Sequence, residues 1–271
     1  MRPVVSVIMP AYNHERYVAQ AIESVLSQTF SDFEFIIIND GSTDTTGEII
    51  KRYTDPRIVY HWQRNAGSDA AINRALELAK GSYVSIINSD DVYHEKRLEV
   101  LFTTATAESR AFLITDIELI DAESKPVTDP EHWWVRWYEG LKEAYRGSDS
   151  PLKALLVGNY TISTSNFFFE ASLPLRIGSF RSRRYTLDYD FAFRALRYNA
   201  GSFRFLIDAK LLFYRLHGKN AILENPLLAN IETFYLLKNS IKSLFGDEIH
   251  PPVDHLNKIR RNITKVRDRS W

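Results

Sequence analysis

One stretch of the chain decides its predicted architecture: Tyr83-Val84-Ser85-Ile86-Ile87-Asn88-Ser89-Asp90-Asp91. An apolar, β-rich run that ends in adjacent carboxylates predicts a buried strand, which delivers acidic side chains to the carboxyl edge of a parallel sheet. Two carboxylates at that edge indicate a divalent-metal site. Alternatively, the Asp90-Asp91 pair caps the helix predicted to begin near His94, and so short a motif does not decide between the two interpretations.

Three more strands are predicted before this stretch, and a segment with helical spacing of apolar residues follows each of them. The strands are residues 4–9, 33–38 and 57–63. The first is a continuous apolar run that Pro10 closes, as expected of a central strand buried on both faces. Four β-α units within about 90 residues predict a doubly wound parallel sheet whose strands end in polar loops on one edge.

The composition excludes several classes of function. The 271 residues contain 34 Lys and Arg against 34 Asp and Glu, so no overall field draws the chain to nucleic acid. The absence of cysteine excludes disulfides, thiolate zinc sites and thiol catalysis. No run approaches the roughly 20 apolar residues that cross a bilayer, and no leader precedes the first strand. We therefore expect a cytoplasmic protein, with peripheral contact at the inner face of the membrane also compatible.

The polar loops favour a nucleotide without the usual phosphate-binding glycines. Neither a GxGxxG after the first strand nor a GxxxxGK[ST] occurs, so dinucleotide-binding and P-loop folds are disfavoured. The loop at residues 39–44 contains glycine and precedes a helix, a geometry that presents backbone N–H groups and a carboxylate to a nucleotide. A divalent cation on Asp90 and Asp91 would supply the counter-charge for phosphates.

Four segments in order resemble the nucleotide-sugar half of family 2 inverting glycosyltransferases: residues 5–13, residues 39–44, residues 65–73 and residues 88–91. The resemblance implies a GT-A fold, which is a Rossmann-like α/β domain with a mainly parallel central sheet flanked by helices. It implies one such domain over residues 1–218, with a nucleotide-sugar half at 1–110 and an acceptor half at 111–218. Residues 219–271 are predicted to form a helical C-terminal extension.

By the same resemblance, a set of residues would bind the nucleoside-diphosphate sugar, expected to be a UDP-sugar. They are Pro10, Ala11, Tyr12, Asn13, Asp40, Asn65, Gly67, Asn73, Asn88, Ser89, Asp90 and Arg215. A divalent metal, Mn²⁺ or Mg²⁺, would be held by Asp90, Asp91 and His217. The chain departs from the family pattern at Asn88, where Asp is usual, and at Ile72, where an Arg often precedes Asn73.

The catalytic base implied by the resemblance is Asp188, at the start of a predicted helix. Leu187 replaces the Glu that usually precedes it in the family. A carboxylate at a helix start that faces a cleft can accept a hydroxyl proton if desolvation offsets the helix dipole. The alternative interpretation is a helix N-cap. Asp190 is predicted to point away from Asp188, because residues i and i+2 do not share a helix face.

The predicted acceptor residues are Trp133, Trp134, Trp137 and Asn166. Aromatic faces stack on sugar rings, although tryptophan clusters also serve as core or interface, and that alternative stays open. The acceptor is expected to be a glycan or glycolipid. Residues 226–245 predict an amphipathic helix, and residues 256–269 a basic amphipathic tail, which suit a homodimer or peripheral membrane contact.

The predicted function is metal-assisted direct displacement, in which an acceptor hydroxyl attacks the sugar of the donor as the nucleoside diphosphate leaves. Synthesis of polysaccharide, cell-surface glycan or glycolipid is the expected context. Two alternatives remain. One is a nucleotide-sugar-binding protein with impaired catalysis, and the other is a nucleotidyltransferase, which also uses carboxylate-bound metal on an α/β sheet.

Overall fold

The computed structural model describes residues 2–218, residue 220 and residues 224–245. The described residues form two compact units. The sheet unit comprises the described residues up to Thr128, together with Ser163–Ser182 and Gly201–Leu216. The helical unit comprises Asp129–Ile162, Arg183–Ala200 and the described residues from His217 onward. The predicted basic tail at residues 256–269 lies outside the described residues, and the predicted domain boundary at residue 218 stays a prediction.

The strands and helices alternate through most of the chain. The strands are β1 Val5–Ala11, β2 Phe33–Asp40, β3 Ile58–Gln63, β4 Tyr83–Ile86, β5 Val92–Tyr93, β6 Phe112–Ile120, β7 Phe168–Glu170 and β8 Phe203–Arg215. The helices are α1 Val18–Leu26, α2 Thr46–Lys51, α3 Ser68–Leu78, α4 Arg97–Glu108, α5 Trp133–Arg146, α6 Pro151–Val157, α7 Leu173–Ile177, α8 Leu187–Asn199 and α9 Pro226–Phe245.

The eight strands form one sheet in the order β3-β2-β1-β4-β7-β6-β8-β5. The first four strands are parallel, which confirms the β-α pattern predicted from the sequence. Beyond β4 the sheet is mixed, because β7 runs antiparallel to both β4 and β6 while β6 and β8 are parallel. The strands β1 and β2 are buried almost throughout, as expected of parallel strands with both faces covered.

The segment at residues 83–91 leaves the sheet earlier than predicted. The strand β4 ends at Ile86, and Ile87 N donates one further hydrogen bond to Ile8 O at 3.0 Å. Asp91 N then donates to Asn88 O at 3.2 Å, which closes a turn. The helix α4 begins at Arg97 with Lys96 as its N-cap, so the capping interpretation of the Asp90-Asp91 pair was wrong.

Other boundaries also differ from the predictions. The apolar run that starts at residue 211 predicts a strand, but β8 begins well before it at Phe203, and a register irregularity near Asp116 accompanies its pairing with β6. The family resemblance also implies a strand at residues 159–169, but these residues contain only a 3₁₀ turn at Thr164–Asn166 and the first part of β7. The segment that contains Trp133, Trp134 and Trp137 forms the helix α5. The helix α9 has the bounds predicted from its apolar spacing.

The helical unit is built from α5, α6, α8 and α9, in which α6 packs on both α5 and α8, and α9 packs on α8. Its buried side chains include six aromatic ones: Trp134, Tyr138, Tyr160, Tyr189, Phe191 and Phe193. Among the helices that the structure describes, none combines the length and the apolar character needed to cross a bilayer.

We predict that Gly41→Ala destabilises the protein, whereas Gly140→Ala does not. Gly41 has φ +72°, and an added Cβ would lie 2.6 Å from the backbone N of Asn65, so we expect a loss of about 2 kcal/mol or more. Gly140 lies inside α5, where an added Cβ would meet none of the described atoms within 4 Å, so alanine should stabilise by about 0.5–1 kcal/mol.

Urea unfolding followed by circular dichroism measures both effects. An unchanged midpoint for Gly41→Ala would show that the loops at residues 41 and 65 are not packed as closely as described.

Candidate functional site

Two loops at the carboxyl edge of β1 and β2 hold each other in place. Asn13 has φ 52°, in the left-handed region, and its Oδ1 accepts a 2.8 Å hydrogen bond from Thr43 N. Its own backbone N donates to Ser42 Oγ at 3.1 Å. Of the predicted donor-binding loop at residues 10–13, Ala11 is buried in β1, whereas Tyr12 is 45% exposed. The ring of Tyr12 is therefore the part of this loop that is most available to a ligand.

Asp40 fastens the neighbouring loop to the end of β2. Its Oδ1 accepts hydrogen bonds from Gln63 Nε2 at 2.7 Å and Ala66 N at 2.9 Å, and its Oδ2 accepts one from Gly67 N at 2.9 Å. Gln63 Oε1 in turn accepts from Arg74 Nη1 at 3.3 Å. Asp40 is buried. Asp40 and Gly67 were predicted from the sequence as donor-binding residues. Gln63 was not predicted, because in the sequence it is only the last residue of a strand.

The predicted Asn65 and Asn73 are placed differently from each other. Asn65 is exposed in the loop that Asp40 fastens. Asn73 uses its amide to bind the backbone of Phe180, accepting from the N–H at 2.9 Å and donating to the carbonyl at 2.8 Å. Asn73 therefore connects α3 to the segment that precedes α8.

Asn88 anchors the turn after β4. Its Nδ2 donates to Ser163 Oγ at 3.0 Å, and its Oδ1 accepts from Thr164 Oγ1 at 3.0 Å. Its backbone N donates to Ser165 Oγ at 2.8 Å. An amide both donates and accepts, whereas an ionised carboxylate only accepts, so Asn88 can donate to Ser163 where an aspartate could only accept from the serine hydroxyl.

Asp91 supports the same turn from inside the protein. Its Oδ1 accepts from Arg215 N at 2.9 Å, and its Oδ2 accepts from Ser165 Oγ at 2.5 Å. Burial, followed by the negative charge of Asp90, raises the pKa of Asp91 to about 8, although both hydrogen bonds favour the charged form. Because Asp91 is 1% exposed, its carboxylate faces protein groups.

Arg215 is also buried, and its guanidinium braces the turn from behind. Nε donates to Asp90 O at 2.7 Å, Nη1 donates to Asp121 O at 3.1 Å and Ser124 Oγ at 2.8 Å, and Nη2 donates to Gln20 Oε1 at 2.6 Å. Burial lowers the pKa of Arg215. The side chain thus connects the turn to α1 and to the loop after β6.

Asp90 projects on the other side of the turn, next to His14. Asp90 Oδ2 lies 3.8 Å from His14 Nε2, and His14 Nδ1 lies 2.8 Å from Ser89 Oγ. A carboxylate oxygen and an imidazole nitrogen at this separation can both reach one cation. In the sequence pattern, Asn13 and His14 indicate only the start of the helix that follows β1. The position of His14 directly after the donor-binding loop was the available clue.

Asn166, predicted to contact the acceptor, has no exposed surface. Its Oδ1 accepts from Thr115 N at 3.0 Å and from Arg97 Nη2 at 3.2 Å, and its Nδ2 donates to Thr115 O at 2.8 Å. Arg97 is fully buried and also donates to Ser165 O at 3.3 Å. The structure thus places Asn166 in the core of the sheet unit, where it helps to hold Ser165.

In the helical unit, Asp188 occupies the first turn of α8, whose N-cap is Thr186. Asp188 is therefore not the cap. Burial raises the pKa of Asp188 to about 6, against a 2.8 Å hydrogen bond from Asn159 Nδ2 that lowers it. Asp190 is separately paired with Arg194 at 2.8 Å, so the two neighbouring carboxylates have different partners, as the helix geometry predicted.

The tryptophans of α5 divide into buried and exposed members. Trp134 is 5% exposed, whereas Trp133 and Trp137 are 57% and 45% exposed. His217, also in the helical unit, is buried, and its backbone N donates to Asn220 Oδ1 at 2.6 Å.

Comparisons with known proteins identify the family of the chain. The sequence pattern of Glycosyl transferase family 2 matches residues 6–167. An uncharacterized glycosyltransferase of Rickettsia typhi is 32% identical over 200 residues, which cover 72% of this chain and 59% of the relative. The chain thus spans little more than half the length of that relative.

Two solved structures share the fold. Staphylococcus aureus TarS residues 1–349, in complex with UDP-GlcNAc, superposes with a TM-score of 0.68 at 19% identity, covering 97% of this chain and 72% of that one. The mannosyltransferase PcManGT from Pyrobaculum calidifontis, in complex with GDP-Man and Mn²⁺, superposes with a TM-score of 0.62 at 17% identity, covering 95% and 69%. The predicted GT-A fold is confirmed, and the chain belongs to glycosyltransferase family 2.

Proposed function

We propose that this chain is an inverting glycosyltransferase that moves a hexosyl group from a nucleoside-diphosphate sugar, preferably a UDP-sugar, to a hydroxyl of a glycan or glycolipid. The observation that carries the proposal is the braced turn at residues 88–91. Asp91 and Arg215 hold this turn from inside, and Asp90 projects beside His14. Such a rigid acidic turn at the carboxyl edge of a parallel sheet suits a metal-bound diphosphate.

The proposed cofactor is a divalent metal, Mn²⁺ or Mg²⁺, and the residues present fit one. Asp90 offers a carboxylate, which both ions accept, and His14 offers an imidazole, which suits Mn²⁺ better than Mg²⁺. Asp91 is proposed to support the site instead of ligating, because both of its oxygens are hydrogen-bonded inside the protein. His217 stays a predicted ligand. When bound, the metal would neutralise charge on the diphosphate and so make it a better leaving group.

Donor binding is proposed at the loops that follow β1, β2 and β3. The exposed ring of Tyr12 can stack on a base, and the groups around Asn13, Asp40 and Asn65 offer amides and a carboxylate for hydrogen bonds to base and ribose. Pro10, Ala11 and Gly67 would shape the backbone there. Asn73, Asn88 and Arg215 would contribute by fixing the loops, since their side chains are bonded to the protein.

The proposed base is Asp188. With a pKa of about 6, its carboxylate is ionised at neutral pH, yet it is basic enough to accept the proton of an acceptor hydroxyl. As the proton moves to a carboxylate oxygen, the acceptor oxygen forms a bond to the anomeric carbon, and the bond from that carbon to the diphosphate breaks. A single displacement of this kind inverts the anomeric configuration, because no covalent sugar-enzyme intermediate forms.

The acceptor contact is proposed for Trp133 and Trp137, whose exposed faces on α5 can stack on sugar rings. Polysaccharide, cell-surface glycan or glycolipid synthesis is the proposed context. A binding protein without turnover is the first alternative, and a nucleotidyltransferase, which would release pyrophosphate, is the second. A panel of nucleotide sugars, including UDP-GlcNAc and GDP-mannose, assayed for nucleoside diphosphate release distinguishes the proposed transferase from both alternatives.

We predict that release of nucleoside diphosphate requires divalent metal and depends on Asp90. Chelation should abolish release, and Asp90→Asn should raise the metal concentration for half-maximal activity by at least about tenfold, because an amide is a weaker ligand. Titration of Mn²⁺ and Mg²⁺ into chelated enzyme checks this. Full activity in chelator would refute the metal.

We predict that replacing Asp91 lowers the stability of the protein more than replacing Asp90 does. Asp91→Ala should cost about 2–4 kcal/mol, because Ser165 Oγ and Arg215 N each lose a buried partner. Asp90→Asn should cost less than about 1 kcal/mol. Urea unfolding of both variants without metal measures the difference, and equal stability of the two would argue against the supporting role of Asp91.

We predict that Asp188→Asn lowers turnover by about 10²-fold or more while nucleotide binding stays close to that of the parent. The parent should lose activity as the pH falls through about 6, since the base is then protonated, and the variant should lack this acidic limb. Asp208→Asn, which neutralises an exposed carboxylate on β8, is the matched control. Parent-like turnover of Asp188→Asn on the true acceptor would exclude Asp188 as the base.

A further inference from the structure

Asn159 contacts the carboxylate of Asp188 through a short hydrogen bond. The loop that follows α6 carries Asn159, and its Nδ2 donates to Asp188 Oδ2 at 2.8 Å. The other oxygen, Oδ1, accepts from Tyr189 N at 2.8 Å. Among the hydrogen bonds described in the helical unit, the one from Asn159 is thus the side-chain bond donated to Asp188.

The orientation of the Asn159 amide is fixed by Thr161. Asn159 Oδ1 accepts from Thr161 Oγ1 at 2.6 Å and from Thr161 N at 3.2 Å. A backbone N–H can only donate, so the amide atom that faces it must be the oxygen. The NH₂ group of Asn159 must therefore face Asp188. Thr161 has no exposed surface, so this orientation is set within the core of the helical unit.

Two buried tyrosines keep the loop and the start of α8 together. Tyr160 Oη donates to Pro151 O at 3.0 Å, and its ring packs on Tyr145 at 4.9 Å. Tyr189, the residue after Asp188, donates through its Oη to Leu155 O. Tyr160 follows Asn159 in the chain and Tyr189 follows Asp188, and both tyrosines thus donate to backbone carbonyls of α6.

We propose that Asn159 is a positioning residue for Asp188, oriented by Thr161, and that it favours the ionised carboxylate and fixes the direction in which that carboxylate faces its substrate. The proposal rests on the function of Asp188 as the base. A hydrogen bond donated to the charged form stabilises that form, so Asn159 keeps a buried carboxylate ionised at neutral pH.

The charged groups around Asp188 act against Asn159 or are already paired. Glu232 of α9 adds a negative charge that raises the pKa of Asp188, and it is held by hydrogen bonds from Arg184 N at 3.1 Å and Tyr185 N at 2.6 Å. On α8 itself, Asp190 pairs with Arg194. Tyr189 stays neutral near pH 7, because burial and Asp188 raise its pKa. Removal of Asn159 therefore leaves burial and Glu232 opposed by backbone N–H groups such as that of Tyr189.

The direct test is a titration of the Asp188 carboxyl by ¹³C NMR on the full chain, with Asp188→Asn used to assign the resonance. Asn159→Ala should raise the pKa of Asp188 by about one unit, the scale of a lost hydrogen bond to a charged group. Thr161→Val should raise it less, because Asn159 remains but loses its orienting hydroxyl. Asn230→Ala, which removes an exposed amide on α9, should leave the titration unchanged.

The second readout is the pH profile of nucleoside diphosphate release. In Asn159→Ala the acidic limb should move upward by the same interval as the NMR titration, which a general loss of structure would not produce. If Asn159→Ala does not fold, Thr161→Val decides by the same two measurements. An Asp188 pKa and an acidic limb that stay at the parent values in the folded variant would overturn the positioning role.

The two proposals fail separately. If Asp188→Asn retains turnover while Asn159→Ala still shifts the NMR titration, Asp188 is not the base, although Asn159 does control its ionisation. If Asp188→Asn abolishes turnover while the titration of Asn159→Ala matches that of the parent, the base stands and the role of Asn159 is wrong.

Discussion

The proposed donor site depends on one buried carboxylate. Asp91 accepts from Ser165 Oγ, 74 residues further along the chain, and from Arg215 N, 124 residues further along. These bonds join the turn after β4 to the segment before β7 and to the end of β8. Desolvation makes the charged form costly, and the two hydrogen bonds offset only part of that cost, so the pKa of Asp91 stays raised. The turn that presents Asp90 is therefore fixed by two distant parts of the sequence.

The departure of the sequence from the family pattern is physically consistent with this arrangement. Asp90 and Asp91 are adjacent, and their charges already disfavour each other's ionised forms. A third carboxylate at residue 88 would add to that repulsion, whereas Asn88 adds none and donates to Ser163. The amide thus replaces one charge with an additional connection, and Asp90 remains the carboxylate of the turn that projects toward His14.

Local sequence patterns were sufficient to predict β1 to β4 and the loops that follow them, because apolar runs and turn residues act over short distances. The GT-A fold was implied by the resemblance of those loops to family 2 glycosyltransferases. Local patterns could not show which of two adjacent aspartates faces inward, since Ser165 and Arg215 decide it. Gln63 and His14 were also missed, because their partners Asp40 and Asp90 are distant from them in the sequence. The helix α5 was not predicted, although it has a local signal. Trp134, Tyr138 and Leu141 recur at helical spacing on its buried side.

Burial raises the pKa of both Asp91 and Asp188, yet their surroundings suit different roles. Asp91 is 1% exposed, and its bonds from Ser165 and Arg215 connect separate segments of the sheet unit. Asp188 is 9% exposed and lies at the start of a helix, where the N-terminal dipole and Asn159 favour its ionised form. A raised pKa alone therefore does not identify a base. What supports the proposed role of Asp188 is that its carboxylate combines a pKa of about 6 with a residual exposure of 9%.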